Sequence, residues 1–335
     1  MNFFNNKGDA NLLFKWIFGV IAGGLILLFF VRFSWVHIEG GQTLEGQQIL
    51  LDIDDRLDAF GVGEQYDTFD LRDDFDLTFQ CRDIRVGQLG TVNHYSRTTP
   101  HALFAPPQLS GEYLTVWTRQ WSYPYPIAQL YYLSNPSTRI FVVSDTSSLD
   151  EVQTLVERIP EPFNVKIIPR NSFDPTFLAS QLKGAETATV AFFGSPPNNV
   201  EELYSVVRTY TPLTVILINQ DQQTATVTDS DGRSEDVYYL NDDVLYGLLF
   251  SGSGYQCVQT HTIQRLRSIT QLYEHKLSRL IGKIQDQHCR DLFQEGTLLL
   301  QRFEQAITKQ EYTIVHDKLI QHNIKMEGAQ CPTIY

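Results

Sequence analysis

This chain of 335 residues lacks most of the short motifs that announce a chemistry. No G-x-G-x-x-G follows the first strand of its alternating region and no G-x-x-x-x-G-K-[ST] occurs, so nucleotide phosphates have no recognisable cradle. Ser195 lies in F-G-S-P-P and lacks the second glycine of G-x-S-x-G, which speaks against a serine hydrolase built on a strained nucleophile elbow. The histidines include neither H-E-x-x-H nor an i, i+4 pair on a helix, and the cysteines include no C-x-x-C. No metal site, no thioredoxin-like pair and no cofactor is therefore expected, and His288 beside Cys289 reads as a loop residue next to a disulfide. Positive charge is scarce: 26 Lys and Arg against 39 Asp and Glu leave a net charge of -13, a surface that repels nucleic acid. Low-complexity runs are missing too, and 42% hydrophobic with 12% aromatic residues is a folding composition rather than a disordered one.

What is present begins with an uncharged run, Trp16 to Val31, between Lys15 and Arg32. A helix needs about 20 residues to cross a bilayer core. Leu12, Leu13 and Phe14 extend the run on one side, Phe33, Trp35 and Val36 on the other, while Lys15 and Arg32 can snorkel towards water. No small-residue cleavage pattern follows, so the segment reads as a retained anchor. A prepilin-like leader ending at Lys7-Gly8 is opposed by Lys15, which would interrupt the packing helix. Lys7, Lys15 and the terminal amine precede the span, and Arg32 is the only basic residue after it until Arg56. The N-terminus is accordingly expected in the cytoplasm and the main domain outside it. Gly19 and Gly23 have the spacing that lets two spans approach, although glycine is common in membrane helices anyway.

The remainder divides into a juxtamembrane helix and β-rich region (37–137), an α/β domain (138–256) and a helical C-terminal region (257–335), after a tail (1–11) and the span (12–36). Leu50, Ile53, Leu57 and Phe60 mark a helix over 43–60 that stops at Gly61 and Gly63. Strands are expected at 68–71, 77–86, 102–105, 114–117 and 127–133, with a turn through Gly87 and Gly90. From Arg139 the pattern alternates buried strand and capped helix. Strands fall at 139–144, 165–168, 187–193 and 213–219. Ser148 with Glu151, Asp174 before Pro175, and Asn199 with Glu202 supply the helix caps. The expected architecture is a mostly parallel, three-layer, Rossmann-like sheet. An Asp231-Gly232 hairpin follows, then helices near 242–250, 258–285, 291–307 and 310–324.

An even cysteine count in an exported domain suggests two disulfides; in the cytoplasm the four would be scattered thiols. A helix of about 27 residues is ~40 Å long, and bridged Cα atoms lie within ~7 Å, so Cys257 at its start cannot reach Cys289 beyond its end. Antiparallel packing of the last helices returns Cys331 to Cys289 and leaves Cys81 for Cys257.

Ala102-Leu103-Phe104-Ala105-Pro106, the 117–124 segment with Leu130-Tyr131-Tyr132-Leu133, Tyr255-Gln256-Cys257 and the terminal Cys331-Pro332-Thr333-Ile334-Tyr335 resemble uncharacterised single-span exported proteins of small-genome archaea. The resemblance implies an anchored, exported α/β domain and transfers no site. From the residues themselves, the carboxyl ends of the strands single out Asp145, Thr146, Gly194 and Ser195 as a small polar pocket, with turn and cap roles as the plainer account. Asn219 and Gln220 end the fourth strand in the same way. Two acidic groups, Asp52, Asp54, Asp55 and Asp58, and Asp229, Asp231 and Asp236, lack the convergent geometry of a calcium loop and read as solvated surface. Trp117, Trp121, Tyr123, Tyr125, Tyr131 and Tyr132 would line a binding groove or pack the core. The functional expectation is a membrane-anchored, extracytoplasmic structural or interaction component of the cell envelope, with protein partners or a homo-oligomer open. An exported hydrolase or transferase using the strand ends, or an accessory subunit of a membrane complex, are the alternatives.

Overall fold

The computed structural model describes residues 7–60, 63–88, 94–196, 200–207 and 211–335. Its first element, α1 (Lys7–Ala59), is one helix of 53 residues, so the anchor and the juxtamembrane helix are continuous rather than separate. No proline lies between them, and Gly40-Gly41 costs only about 1 kcal/mol per residue without removing a hydrogen bond. Within α1, Lys15–Phe33 is long and apolar enough to cross a membrane, and none of it is buried against the rest of the chain. The other end is buried. Leu50, Ile53 and Leu57 recur at helical spacing and pack against a sheet. Asp54 pairs there with Arg97, and Asp58 Oδ1 lies 3.1 Å from His101 Nε2. Half of the first acidic group is thus spent on docking the helix. The Gly61 stop lies outside the described residues.

That sheet comprises β1 (Gln65–Gln80), β2 (Asp83–Gln88), β3 (His94–Thr98), β4 (Ala102–Phe104), β5 (Gln108–Ser122) and β6 (Pro126–Ser134), in the order β3-β2-β1-β5-β6-β4. All its pairs are antiparallel except β4 with β6. The strand expected over 77–86 is instead the tip of a hairpin: Gln80 pairs with Asp83 across Cys81-Arg82, with Cys81 at φ 60°. Apolar residues continue on both limbs, Leu77 and Phe79 then Ile84 and Val86, so the hydrophobic pattern hides the turn. Gly87 lies inside β2, and Gly90 is outside the described residues.

The second sheet follows with β7 (Thr138–Ser144), α2 (Leu149–Glu157), β8 (Val165–Pro169), α3 (Pro175–Leu182), β9 (Thr187–Phe193), α4 (Val200–Val207), β10 (Leu213–Asn219), β11 (Thr224–Thr228) and β12 (Ser234–Tyr238). Its order is β12-β11-β10-β9-β7-β8. The strands β8, β7, β9 and β10 are parallel; β11 and β12 pair antiparallel. Both sheets are therefore mixed, which corrects the expectation of a mostly parallel one. The cause is connection length, since a parallel crossover needs a dozen or more residues and β10 is joined to β11 by a tight turn. Asp174 caps α3, its Oδ1 accepting from Thr176 N at 2.9 Å. The Ser148 capping box does not form, because that hydroxyl lies 3.0 Å from Ser144 Oγ instead. The Asn199 cap lies outside the described residues.

Helix α5 (Asp242–Ser251) runs between the two sheets and is buried from Val244 to Ser251. One sheet meets it with Phe104, Trp117 and Tyr132, the other with Ile140, Val142, Phe193 and Ile216, and α2 fills the same layer. The outer faces are covered by α1 on one side and by α3 and α4, through Leu178, Leu182 and Leu203, on the other. Helices α6 (Tyr255–Ile281), α7 (Gln287–Gln305) and α8 (Lys309–Gly328) complete the chain. The bend between β5 and β6 enters this bundle: the Tyr125 hydroxyl bonds to Thr270, and Tyr123 stacks on His316 with ring centres 4.1 Å apart. The aromatic cluster is core. Cys81 and Cys257 lie at disulfide distance with Cα atoms 5.3 Å apart, and so do Cys289 and Cys331 at 5.5 Å.

Gly247 of α5 faces the Phe104 ring, where an added Cβ would come within 2.6 Å of ring carbons held between Tyr132 and Tyr255. Gly247→Ala should lower unfolding free energy by about 1–3 kcal/mol in denaturant titration. Gly328→Ala, in α8 with nothing near its position, should leave it unchanged or raise it by up to about 1 kcal/mol.

Candidate functional site

In sequence order the four parallel strands are arranged 2-1-3-4, so the chain reverses direction between β7 and β9. Connections leave that point to opposite faces, and the crevice beyond the strand ends is where open α/β sheets place ligands. Asp145 follows β7 there and Gly194 follows β9. Gly194 has φ 90°, and a Cβ on it would lie 2.6 Å from Asp145 Oδ2. Both the backbone angle and the neighbouring carboxylate require glycine. Arg170, just after β8, closes one side of the crevice. It donates through Nη1 to Asp145 Oδ1 at 2.8 Å and through Nη2 to the Pro196 carbonyl at 3.2 Å.

Beyond this ion pair an open groove of about 970 Å³ runs from the ends of β7 and β9 across β10, β11 and β12. Three of the four residues singled out from the sequence, Asp145, Gly194 and Ser195, line it; exposed Thr146 does not. Asn219 and Gln220 line it as well. Four carboxylates face it, from Asp145, Glu151, Asp221 and Asp236. Two of them are already engaged in the far wall and the α2 wall, Thr226 Oγ1 donating to Asp236 Oδ1 at 2.6 Å and Gln220 Nε2 to Glu151 Oε2 at 3.4 Å. Burial pushes the Tyr238 hydroxyl above its ordinary pKa, with Tyr312 adding to the rise and Arg267 opposing it.

The chemistry this lining supports is binding through acceptors. Among the described residues no histidine, cysteine or lysine lines the groove, and none of its serines bonds to a carboxylate side chain. A nucleophile without a base within reach is not activated. The arrangement suits a cationic or polyhydroxylated molecule.

Sequence reasoning missed a different cluster. Cys257 and His261 stand four residues apart on one face of α6, and with Cys81 they bring two sulfurs and a ring nitrogen within 4.8 Å of one another. The C-x-x-x-H spacing was legible in principle, but its third member comes from a hairpin 176 residues earlier.

Gly194→Ala should cost about 1–3 kcal/mol from backbone strain and the displaced Asp145 carboxylate. Ser195→Ala, at an exposed position, should stay within about 0.5 kcal/mol. Thermal unfolding of the two variants side by side checks both.

Comparison of the chain with protein-family models, with curated proteins and with solved structures finds no match. The resemblance to archaeal single-span proteins therefore rests on the sequence segments alone.

Proposed function

We propose that the chain is a membrane-anchored, extracytoplasmic component of the cell envelope, whose folded body binds other molecules rather than transforming them. The observation that carries this reading is the division of α1: one stretch touches nothing else in the protein, while the same helix continues into the core. Apolar side chains without protein neighbours need another apolar medium, and a stretch of Lys15–Phe33, ~28 Å of helix, matches a bilayer core. Two cysteine pairs at disulfide distance support an oxidising compartment. The basic residues before the span support a cytoplasmic N-terminus.

A second reading, the exported hydrolase or transferase, has the strand-end groove in its favour, although among the described residues no serine there bonds to a histidine or a carboxylate side chain. The accessory-subunit reading is favoured by exposed Leu272, Leu298, Ile307 and Ile324 on and beside the C-terminal helices.

The full chain expressed in cells should remain with the membrane through alkaline carbonate washing, and its deletion variant lacking residues 15–33 should not. Thiol alkylation of intact material should leave all four cysteines unmodified until a reductant is added. Free thiols in native material, or a mature N-terminus beyond Arg32, would overturn the placement.

A further inference from the structure

We infer that Cys81, Cys257 and His261 form a redox-gated site for a thiophilic d¹⁰ cation such as Zn²⁺, closed as a disulfide and opened by a dithiol reductant. The two cysteine pairs differ in access. Cys289 and Cys331 are 8% and 5% exposed, whereas Cys257 is exposed and Cys81 half-buried. Cys81 of the accessible pair lines a cavity of about 540 Å³ together with His261, Arg82 and Arg265. A reductant can reach this bond, and exposed disulfides are the exchangeable ones.

The step balances without an unnamed partner. A dithiol gives up two electrons and two protons and closes into its own disulfide, while the Cys81–Cys257 bond opens to two thiols. A divalent cation then displaces the two thiol protons, so two thiolates and the neutral imidazole supply three ligands and leave the site uncharged apart from the ring's surroundings. Water or an exogenous ligand would complete a tetrahedral set. His261 is suitably prepared: its Nδ1 lies 3.2 Å from Gln264 Oε1, and donating there leaves the lone pair of Nε2 free. The sulfurs must separate from bonding distance to the span of a metal edge, and Cys81 sits in the two-residue turn between β1 and β2, where the ladder ends. The cation would restore the tie between the β1–β2 hairpin and α6 that reduction releases. In an oxidising compartment the site stays closed as the disulfide until a dithiol reductant reaches it.

The test uses the full chain in detergent, a dithiol reductant limited to opening one disulfide, and Co²⁺ as a spectroscopic stand-in for Zn²⁺. The expected result is two free thiols assigned to Cys81 and Cys257 by peptide mapping, one Co²⁺ per chain with a thiolate-to-cobalt charge-transfer band, and displacement of that band by Zn²⁺. His261→Gln, at a half-buried surface position, should weaken binding about tenfold or more while the circular dichroism and the remaining disulfide stay unchanged. Reduction of Cys289–Cys331 first, failure of the reduced chain to give the band, or undiminished affinity in His261→Gln would each overturn the proposal.

Discussion

The body of this protein is organised by the burial of α5 between two sheets. A helix that is apolar all round has no face to offer water, so it is stable only when every side is covered. Here one sheet covers it with Trp117 and Tyr132, the other with Ile216 and Phe193, and α2 with Val152 and Leu155. Its polar first turn is held as firmly. Arg119 donates through Nε to Asp243 Oδ1 at 2.8 Å and lies over the rings of Trp117 and Tyr246, while the Tyr132 hydroxyl donates to the Asp243 carbonyl at 2.7 Å. Burial pushes the Asp243 carboxyl up despite this arginine, and pushes the Tyr246 phenol up to about 12. The ion pair thus offsets a desolvation cost more than it adds stability; what it contributes is a fixed register between α5 and β5.

Sequence legibility followed the same physics. The strands β7, β9 and β10 are largely buried and read as predominantly apolar runs, and their bounds follow that signal to within a residue. Asp174 before Pro175 marks a helix start because side chain and ring act within one turn. What remained hidden depends on longer-range choices. Cys81 turns the chain in a stretch whose polarity pattern is indifferent to the turn, and Ser148 answers to Ser144 rather than to its own helix. At the candidate site, Asp145 and Gly194 were legible as strand ends, but Arg170, which joins them, gave no local signal.

The two cysteine pairs act on different scales. The helix-length argument excludes Cys257 with Cys289, antiparallel packing of the last helices selects Cys289 with Cys331, and the pairs at disulfide distance are that one and Cys81 with Cys257. Cys289–Cys331 closes 42 residues within the helical region, and Cys81–Cys257 closes 176 residues between the first sheet and α6. In the chain-entropy account these restrict the unfolded state by roughly 4 and 5 kcal/mol. The longer closure is the accessible one, so the larger restraint is also the one chemistry can remove.

The antiparallel departure in the second sheet is what gives the strand-end groove its shape. In a wholly parallel sheet, a helix would follow β10 and cover one face beyond it. Instead the chain turns back through Gln223 at φ 48°, with Asn219 Oδ1 accepting from Gln222 N at 3.1 Å, and β11 and β12 extend the sheet edge as a far wall. Arg170 and Asp145 meanwhile fill the crevice at the reversal point, where a ligand would otherwise sit. The accessible space is displaced from the usual position towards the hairpin, and three of its four carboxylates come from that hairpin and from α2. A molecule bound there would touch the sheet's antiparallel edge more than its parallel centre.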